Sequence, residues 1–357
     1  MVSFQSVITA ICSLSSCFPQ LDLNLYLQDE YLLTANLSLA SNQSLTVAID
    51  FTSNAFWVFA AQQENKNETK VLPSGVFTIR NDNQVIFDKN STSKLLKYAK
   101  PLYENDFNVT IKYARTVINL NNDLVGIPQI GVDLSNVSSE LSNIIGGSGL
   151  FGITPDSYAN SISMSTTQGN LLLLYTPTYG KTGGRLATGT RATDVRCDLN
   201  FLKYSLVETE AMYKGSGGDY FAFNSSLTQS TMILSTMTSF VYVPDDLFKK
   251  IEIATRAVWD TRRFKDGEHK PKFKQHMLVS CNMIKKAPNI RFGSSSAPLL
   301  LRGKDYIKQT ASGYCILKLR KMPEHKGFWI LGYPFLQKYC VKIDFHGKTV
   351  SFAKSKT

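Results

Sequence analysis

The chain has 357 residues, of which 43% are apolar and 19% charged, with a formal net charge of +11; that composition excludes a disordered polyelectrolyte, and the length favours two globular units over one. The charge is uneven, with 9 Lys/Arg against 14 Asp/Glu in residues 1–180 and 30 against 14 in residues 181–357. No nucleic-acid-binding motif accompanies the basic half, so a nucleic-acid partner is not expected and the charge reads as a solvated basic face, with an anionic partner as the alternative.

Taken in chain order, residues 1–20 are apolar from Val7 to Ile11 and end in small residues, the pattern of a short secretory leader without a basic start. Asn-X-Ser/Thr sequons at Asn36, Asn42, Asn67, Asn90, Asn108, Asn136 and Asn224 agree, because such sites are used only in the secretory pathway. A secreted or extracellular glycoprotein is therefore expected. Beyond the leader, short β-branched and aromatic runs alternate with Gly, Asn, Asp and Ser turns, which predicts strands at Leu45–Ile49, Phe56–Phe59 and Asn108–Ile111. Helices are predicted at 91–98, at 245–259 behind the Asp245-Asp246 start, and at 334–339. The run 261–276, with six Lys/Arg around Phe264 and Phe273, reads as a solvated loop, with an anionic ligand as the alternative.

Without the leader four cysteines remain, Cys197, Cys281, Cys315 and Cys340, an even number that suggests two disulfides and leaves three pairings open. His269, His276, His325 and His346 have no metal-site spacing and there is no Cys-X-X-Cys, so neither a metal nor another cofactor is expected. No later run of about 18 apolar residues exists to span a membrane. A monomer is expected.

Two segments echo one another. Val47-Ala-Ile-Asp-Phe-Thr-Ser-Asn-Ala-Phe-Trp-Val58 and Met232-Ile-Leu-Ser-Thr-Met-Thr-Ser-Phe-Val-Tyr-Val243 are each an apolar strand, a Ser/Thr turn and an aromatic strand. Each half also ends on bulky apolar residues followed by glycine, Ser148-Gly-Leu-Phe-Gly152 and Phe328-Trp-Ile-Leu-Gly332. Self-similarity at such a period means a duplicated lobe.

Asp50-Phe-Thr-Ser-Asn-Ala-Phe-Trp-Val resembles the first active-site segment of the pepsin-like aspartic proteases, Asp-Thr-Gly-Ser-Ser-Asn-Leu-Trp-Val, and Ser235-Thr-Met-Thr-Ser falls where that family has Asp-Thr-Gly-Thr-Ser. The resemblance runs from about Tyr31 to Phe352. It implies an all-β, bilobal fold with a cleft between two pseudo-symmetric lobes on a shared sheet, here an N-terminal lobe at 21–195 and a C-terminal lobe at 196–357. It also implies Cys281–Cys315 as the disulfide of the second lobe and, with it, Cys197–Cys340 on segments entering the shared sheet; free thiols are the alternative. Tyr31 follows the leader closely, which leaves no room for the pro-segment that the family carries.

The departures from the pattern concern chemistry. Aspartic proteolysis uses two carboxylates close enough to share a proton, one acidic and one basic toward the attacking water. Asp50 matches the first; Ser235 stands at the second, and a serine hydroxyl supplies neither the charge nor the basicity. Thr52 and Met237 replace the two turn glycines, and Phe51 replaces the threonine that braces the first turn, a role Thr236 keeps. Lys112-Tyr-Ala-Arg-Thr116 resembles the flap, with Tyr113 as its tyrosine and Trp57 as that tyrosine's neighbour; Ser53, Thr236 and Thr238 complete the expected binding cleft. Ser235 as a nucleophile would need a base, and no Ser-His-Asp pattern suggests one. The resulting expectation is a non-catalytic protein that binds a peptide, protein or anionic glycan by its cleft or surface. The competing readings are an aspartic-type endopeptidase with an altered dyad and a structural protein without a specific ligand.

Overall fold

The computed structural model describes residues 22–28, 32–39, 44–62, 77–79, 86–87, 93–120, 123–133, 145, 147–154, 171–176, 183–189, 192–194, 196–207, 220–260, 276–323 and 327–356. The leader, the sequons at Asn42, Asn67, Asn90 and Asn136, and the basic run up to residue 275 lie outside the described residues.

Alternating apolar and polar positions make most of this chain strand, because a period of two puts every second side chain on one face. The first half forms β1 (Asp22–Gln28), β2 (Leu32–Leu39), β3 (Ser44–Asp50), β4 (Phe56–Gln62), β5 (Phe77–Ile79), β6 (Ile86–Phe87), β7 (Lys94–Tyr98), β8 (Phe107–Leu120), β9 (Asp123–Asp133), β10 (Gly149–Gly152), β11 (Leu171–Tyr175) and β12 (Gly184–Thr188). The second forms β13 (Leu202–Ser205), β14 (Ala222–Ser225), β15 (Ser230–Leu234), β16 (Val241–Val243), β17 (Val258–Trp259), β18 (Met277–Val279), β19 (Ile290–Gly293), β20 (Pro298–Leu301), β21 (Ile307–Gln309), β22 (Cys315–Leu317), β23 (Leu319–Lys321), β24 (Phe328–Leu331), β25 (Tyr339–Asp344) and β26 (Thr349–Lys354). Among the described residues four short helices accompany them: α1 (Asp245–Thr255), α2 (Met283–Lys286), α3 (Gly303–Tyr306) and α4 (Tyr333–Lys338).

The echo in the sequence is an echo in topology. β10 runs parallel to β3 and antiparallel to β4, and β24 runs parallel to β15 and antiparallel to β16. Each lobe thus wedges an apolar strand ending in glycine between the two strands that flank its polar turn. The glycines are required by space. A Cβ on Gly152 would lie 2.3 Å from the Ser53 carbonyl oxygen and 2.5 Å from that of Ala55, and one on Gly332 would lie 2.2 Å from Phe240 O and 2.6 Å from Thr238 O. Gly332→Ala is therefore expected to destabilise the protein by about 2 kcal/mol through forced backbone displacement, read as a lowered urea midpoint at unchanged m-value; an unchanged midpoint would show that the turn yields freely.

The two lobes share the largest sheet of the described residues, in which β13, β26 and β25 continue through β11, β12, β1, β2 and β3 to β10 and β4. β25 joins the first half by its register with β11, from Leu171↔Asp344 to Leu174↔Val341. The fold is the all-β, bilobal architecture that the resemblance implied. Both disulfides form with the implied partners, Cys197–Cys340 and Cys281–Cys315.

Two helix predictions are corrected. Residues 94–98 form strand β7, because Leu96 and Tyr98 are buried while Lys94, Leu95 and Lys97 are exposed, a period of two. α1 stops at Thr255, short of 259, since Arg256 takes a left-handed φ of 52° and its N–H bonds back to Ile253 O, after which Val258–Trp259 leaves as β17. The third prediction agrees with α4 within one residue.

Candidate active site

Asp50 is the last residue of β3 and Ser235 follows the last residue of β15, so the two polar turns meet where the lobes meet. Thr236 ties them together. Its hydroxyl donates to Ile49 O at 2.6 Å and accepts from Phe51 N–H at 3.1 Å. The reciprocal link is missing, because Phe51 buries its ring edge-on against Phe221 at 5.2 Å between centroids. Within each turn a hydroxyl accepts from the backbone N–H two residues on, Ser53 from Ala55 and Thr238 from Phe240.

Asp50 is wholly buried and its two oxygens hold three donors. Oδ1 accepts from Thr52 N–H at 2.7 Å and from the Thr52 hydroxyl at 2.6 Å. Oδ2 accepts from the Tyr103 hydroxyl at 2.6 Å. Burial in a low-dielectric interior pushes the carboxyl from its ordinary value of 3.8 up to about 6, partly offset by the hydrogen bonds from Thr52 and Tyr103. Burial, with the neighbouring Asp50 charge, likewise holds the Tyr103 phenol well above its usual range. Among the described residues no second carboxylate hydrogen-bonds to Asp50.

Ser235 is equally buried. Its hydroxyl donates to Leu102 O at 2.6 Å and accepts from Met237 N–H at 3.2 Å. The hydroxyl proton is thus committed to a carbonyl, which is no general base, so the arrangement activates no nucleophile.

Leu102, Tyr103 and Glu104 all belong to one element, the tip of the β7–β8 hairpin, paired from Lys94↔Ile111 to Tyr98↔Phe107. Lys100 N–H closes the tip on Asp106 Oδ1 at 2.7 Å. An aromatic wedge anchors it: Tyr98 stacks on Phe107 at 4.5 Å and meets Tyr103 edge-on at 5.0 Å. From there the tip crosses to the second lobe, where Glu104 N–H donates to Met237 O at 2.9 Å. The Glu104 carboxylate accepts from Ser239 N–H at 3.0 Å and from the Ser239 hydroxyl at 3.1 Å.

The hairpin also supplies a hydrogen-bond partner for Trp57. Trp57 Nε1 donates to the Tyr98 hydroxyl at 2.7 Å, a tyrosine that the resemblance did not single out. Tyr113 lies farther along β8, opposite Gly131, and its side chain is outside the described residues. Ser53, Trp57, Thr236 and Thr238 gather around the two turns, all buried. Tyr98, Leu102, Tyr103 and Glu104 were missed by sequence reasoning; a period-two strand, a Pro-containing turn and a second alternating run between 94 and 111 were the hairpin signal that could have found them.

Residues 191–355 match the family model described as eukaryotic aspartyl protease. Over those residues the chain is similar to the eukaryotic aspartyl proteases. A stretch of 94 residues is 35% identical to Aspartic protease 3 of Caenorhabditis elegans, covering 24% of each chain. A stretch of 82 residues is 30% identical to renin of Canis lupus familiaris, covering 21% of this chain and 20% of that one. The chain thus spans at most about a quarter of the length of these relatives in the aligned stretches. Thr52 and Met237 stand where the segments that the two turns resemble have glycine. Thr52 is absorbed by turning its hydroxyl onto Asp50, and Met237 by packing into the buried cluster with Tyr98 and Tyr103.

Proposed function

We propose that this protein is a secreted, glycosylated member of the aspartic-protease family that does not hydrolyse peptides, divided at about residue 195 into its two lobes, and that it binds partners through its surface. The observation that carries the reading is the pairing of Asp50 with a serine. Peptide hydrolysis on this scaffold needs an acid and a base bridged by water. Ser235 is held by Leu102 O, and Asp50 Oδ2, where such a water would bond, is held by the Tyr103 hydroxyl.

Exposure of Asn36, Asn108 and Asn224 supports glycosylation there, and two disulfides support an oxidising compartment. No helix among the described residues is long and apolar enough to cross a membrane. The filled site favours the surface over the cleft for any peptide, protein or glycan ligand.

The test is incubation with denatured haemoglobin from pH 2 to 7, with and without pepstatin. No cleavage is expected, and Ser235→Asp alone should not create it, because the new carboxylate would face the lone pairs of Leu102 O with Tyr103 still on Asp50. Pepstatin-sensitive cleavage lost in Asp50→Asn would establish the opposite reading, an endopeptidase with an altered dyad.

A further inference from the structure

Away from the two turns, the second lobe encloses a cavity of about 800 Å³ between β13, β26, the β19–β20 hairpin, α3 and α4. That is a volume typical of small-molecule sites. Arg291, Arg302, Lys304, Lys308 and Lys354 line it, against Asp198. Its one other acid, Asp305, is consumed internally: its Oδ2 accepts from Arg302 N–H at 2.7 Å and from Lys338 Nζ. Among the described residues, Arg291, Arg302, Lys304 and Lys354 form no ion pair.

The wall carries a second kind of group. The Gln337 Oε1 and Ser355 Oγ atoms are buried and have no hydrogen-bond partner among the described residues, yet both residues line this cavity. Buried polar atoms are normally satisfied, so an unmet acceptor and an unmet hydroxyl beside a cluster of cations, each one side-chain rotation from the cavity, describe the ligand they would complete. It carries several anionic groups for the Arg and Lys side chains and hydroxyls for Gln337 and Ser355. Leu300, Pro334 and Phe352 supply apolar floor, which suits a ring.

We propose that this cavity is a binding site for a small polyanion bearing free hydroxyls on a ring, a phosphorylated cyclitol or a sulfated saccharide. Guanidinium forks match phosphate and sulfate oxygens in pairs, and the excess of basic residues in the second half steers such ligands toward this lobe. The site shares no residue with the two polar turns, so it stands whether or not Asp50 and Ser235 are inert.

The experiment is isothermal titration of the full chain with myo-inositol hexakisphosphate and, separately, with a heparin-derived tetrasaccharide. Binding of either is expected, the tighter of the two naming the source. Arg302→Gln with Lys304→Gln, and Ser355→Ala, should each weaken it, the double variant by about tenfold. Lys285→Gln with Lys286→Gln removes the same charge on α2, outside the cavity, and should change it by no more than about twofold. These substitutions sit at exposed or partly exposed positions, and an unchanged melting temperature without ligand certifies the fold. Absence of binding to both probes, or equal loss in the α2 variant, would overturn the proposal by reducing the effect to diffuse charge.

Discussion

The unfolding free energy is expected to fall by about 3 kcal/mol as pH rises from about 3 to about 7, and Asp50→Asn to abolish that fall. The folded carboxyl titrates at about 6 against an ordinary 3.8. A group whose folded value is raised is favoured in its neutral form, so the unfolded chain holds fewer protons than the folded one between those two values, and stability drops with rising pH across the window. Each unit of difference corresponds to about 1.4 kcal/mol, hence the magnitude. Below about pH 3 both states are protonated and Asp50 contributes no pH dependence; above about pH 7 the penalty is complete and constant. Urea unfolding at half-unit steps, wild type against Asp50→Asn, measures it as a difference that cancels every other titrating group. Tyr103→Phe sharpens the test: it deletes a hydrogen bond that lowers the Asp50 value, so the upper edge of the window should move above 6. Parallel wild-type and Asp50→Asn curves would mean that Asp50 is hydrated and the hairpin tip does not seal it.

Converting both cysteines of the Cys197–Cys340 bridge to serine should cost about 5 kcal/mol of stability, and the same change at Cys281–Cys315 about 4 kcal/mol, by the chain-entropy relation for loops of these lengths. The sequence separations are 143 and 34 residues, and the longer loop frees more of the unfolded chain. The first bridge also has a place in the shared sheet, since Cys340 lies on β25 next to the β11 partners Val341 and Lys342, and Cys197 bridges to Ser355 just beyond β26. Its loss is thus expected to loosen the joint between the lobes as well as lower the midpoint. Amide exchange at β11 and β25 should then rise in the Cys197→Ser, Cys340→Ser protein while β3, β4 and β10 stay protected. Uniform loss of protection would assign the bridge a purely global role.

The hairpin explains how this fold carries a wholly buried carboxylate. An isolated buried charge is costly, and here three hydrogen bonds and a pH-dependent proton share that burden. Thr52 supplies two of the bonds from inside the turn; Tyr103 supplies the third from outside it.

Much of this was legible in the residues themselves. The strand–turn–strand repeat around Asp50 and Ser235 and the Gly152 and Gly332 endings followed from local patterns, because period-two burial and close backbone approach leave their mark on adjacent residues. The serine at position 235, where the resemblance implies an acid, was visible in a single letter. The two disulfide pairings came with the family resemblance. What only tertiary structure decided was that Tyr98 would bond Trp57, that Thr52 would spend its hydroxyl on Asp50, and that Leu102, Tyr103 and Glu104 would close over both turns. The physical reason is separation along the chain: Tyr103 reaches Asp50 over 53 residues and Ser235 reaches Leu102 over 133. A hydrogen bond across such distances is set by how the β7–β8 hairpin leans on its aromatic wedge, and no window of sequence contains both partners.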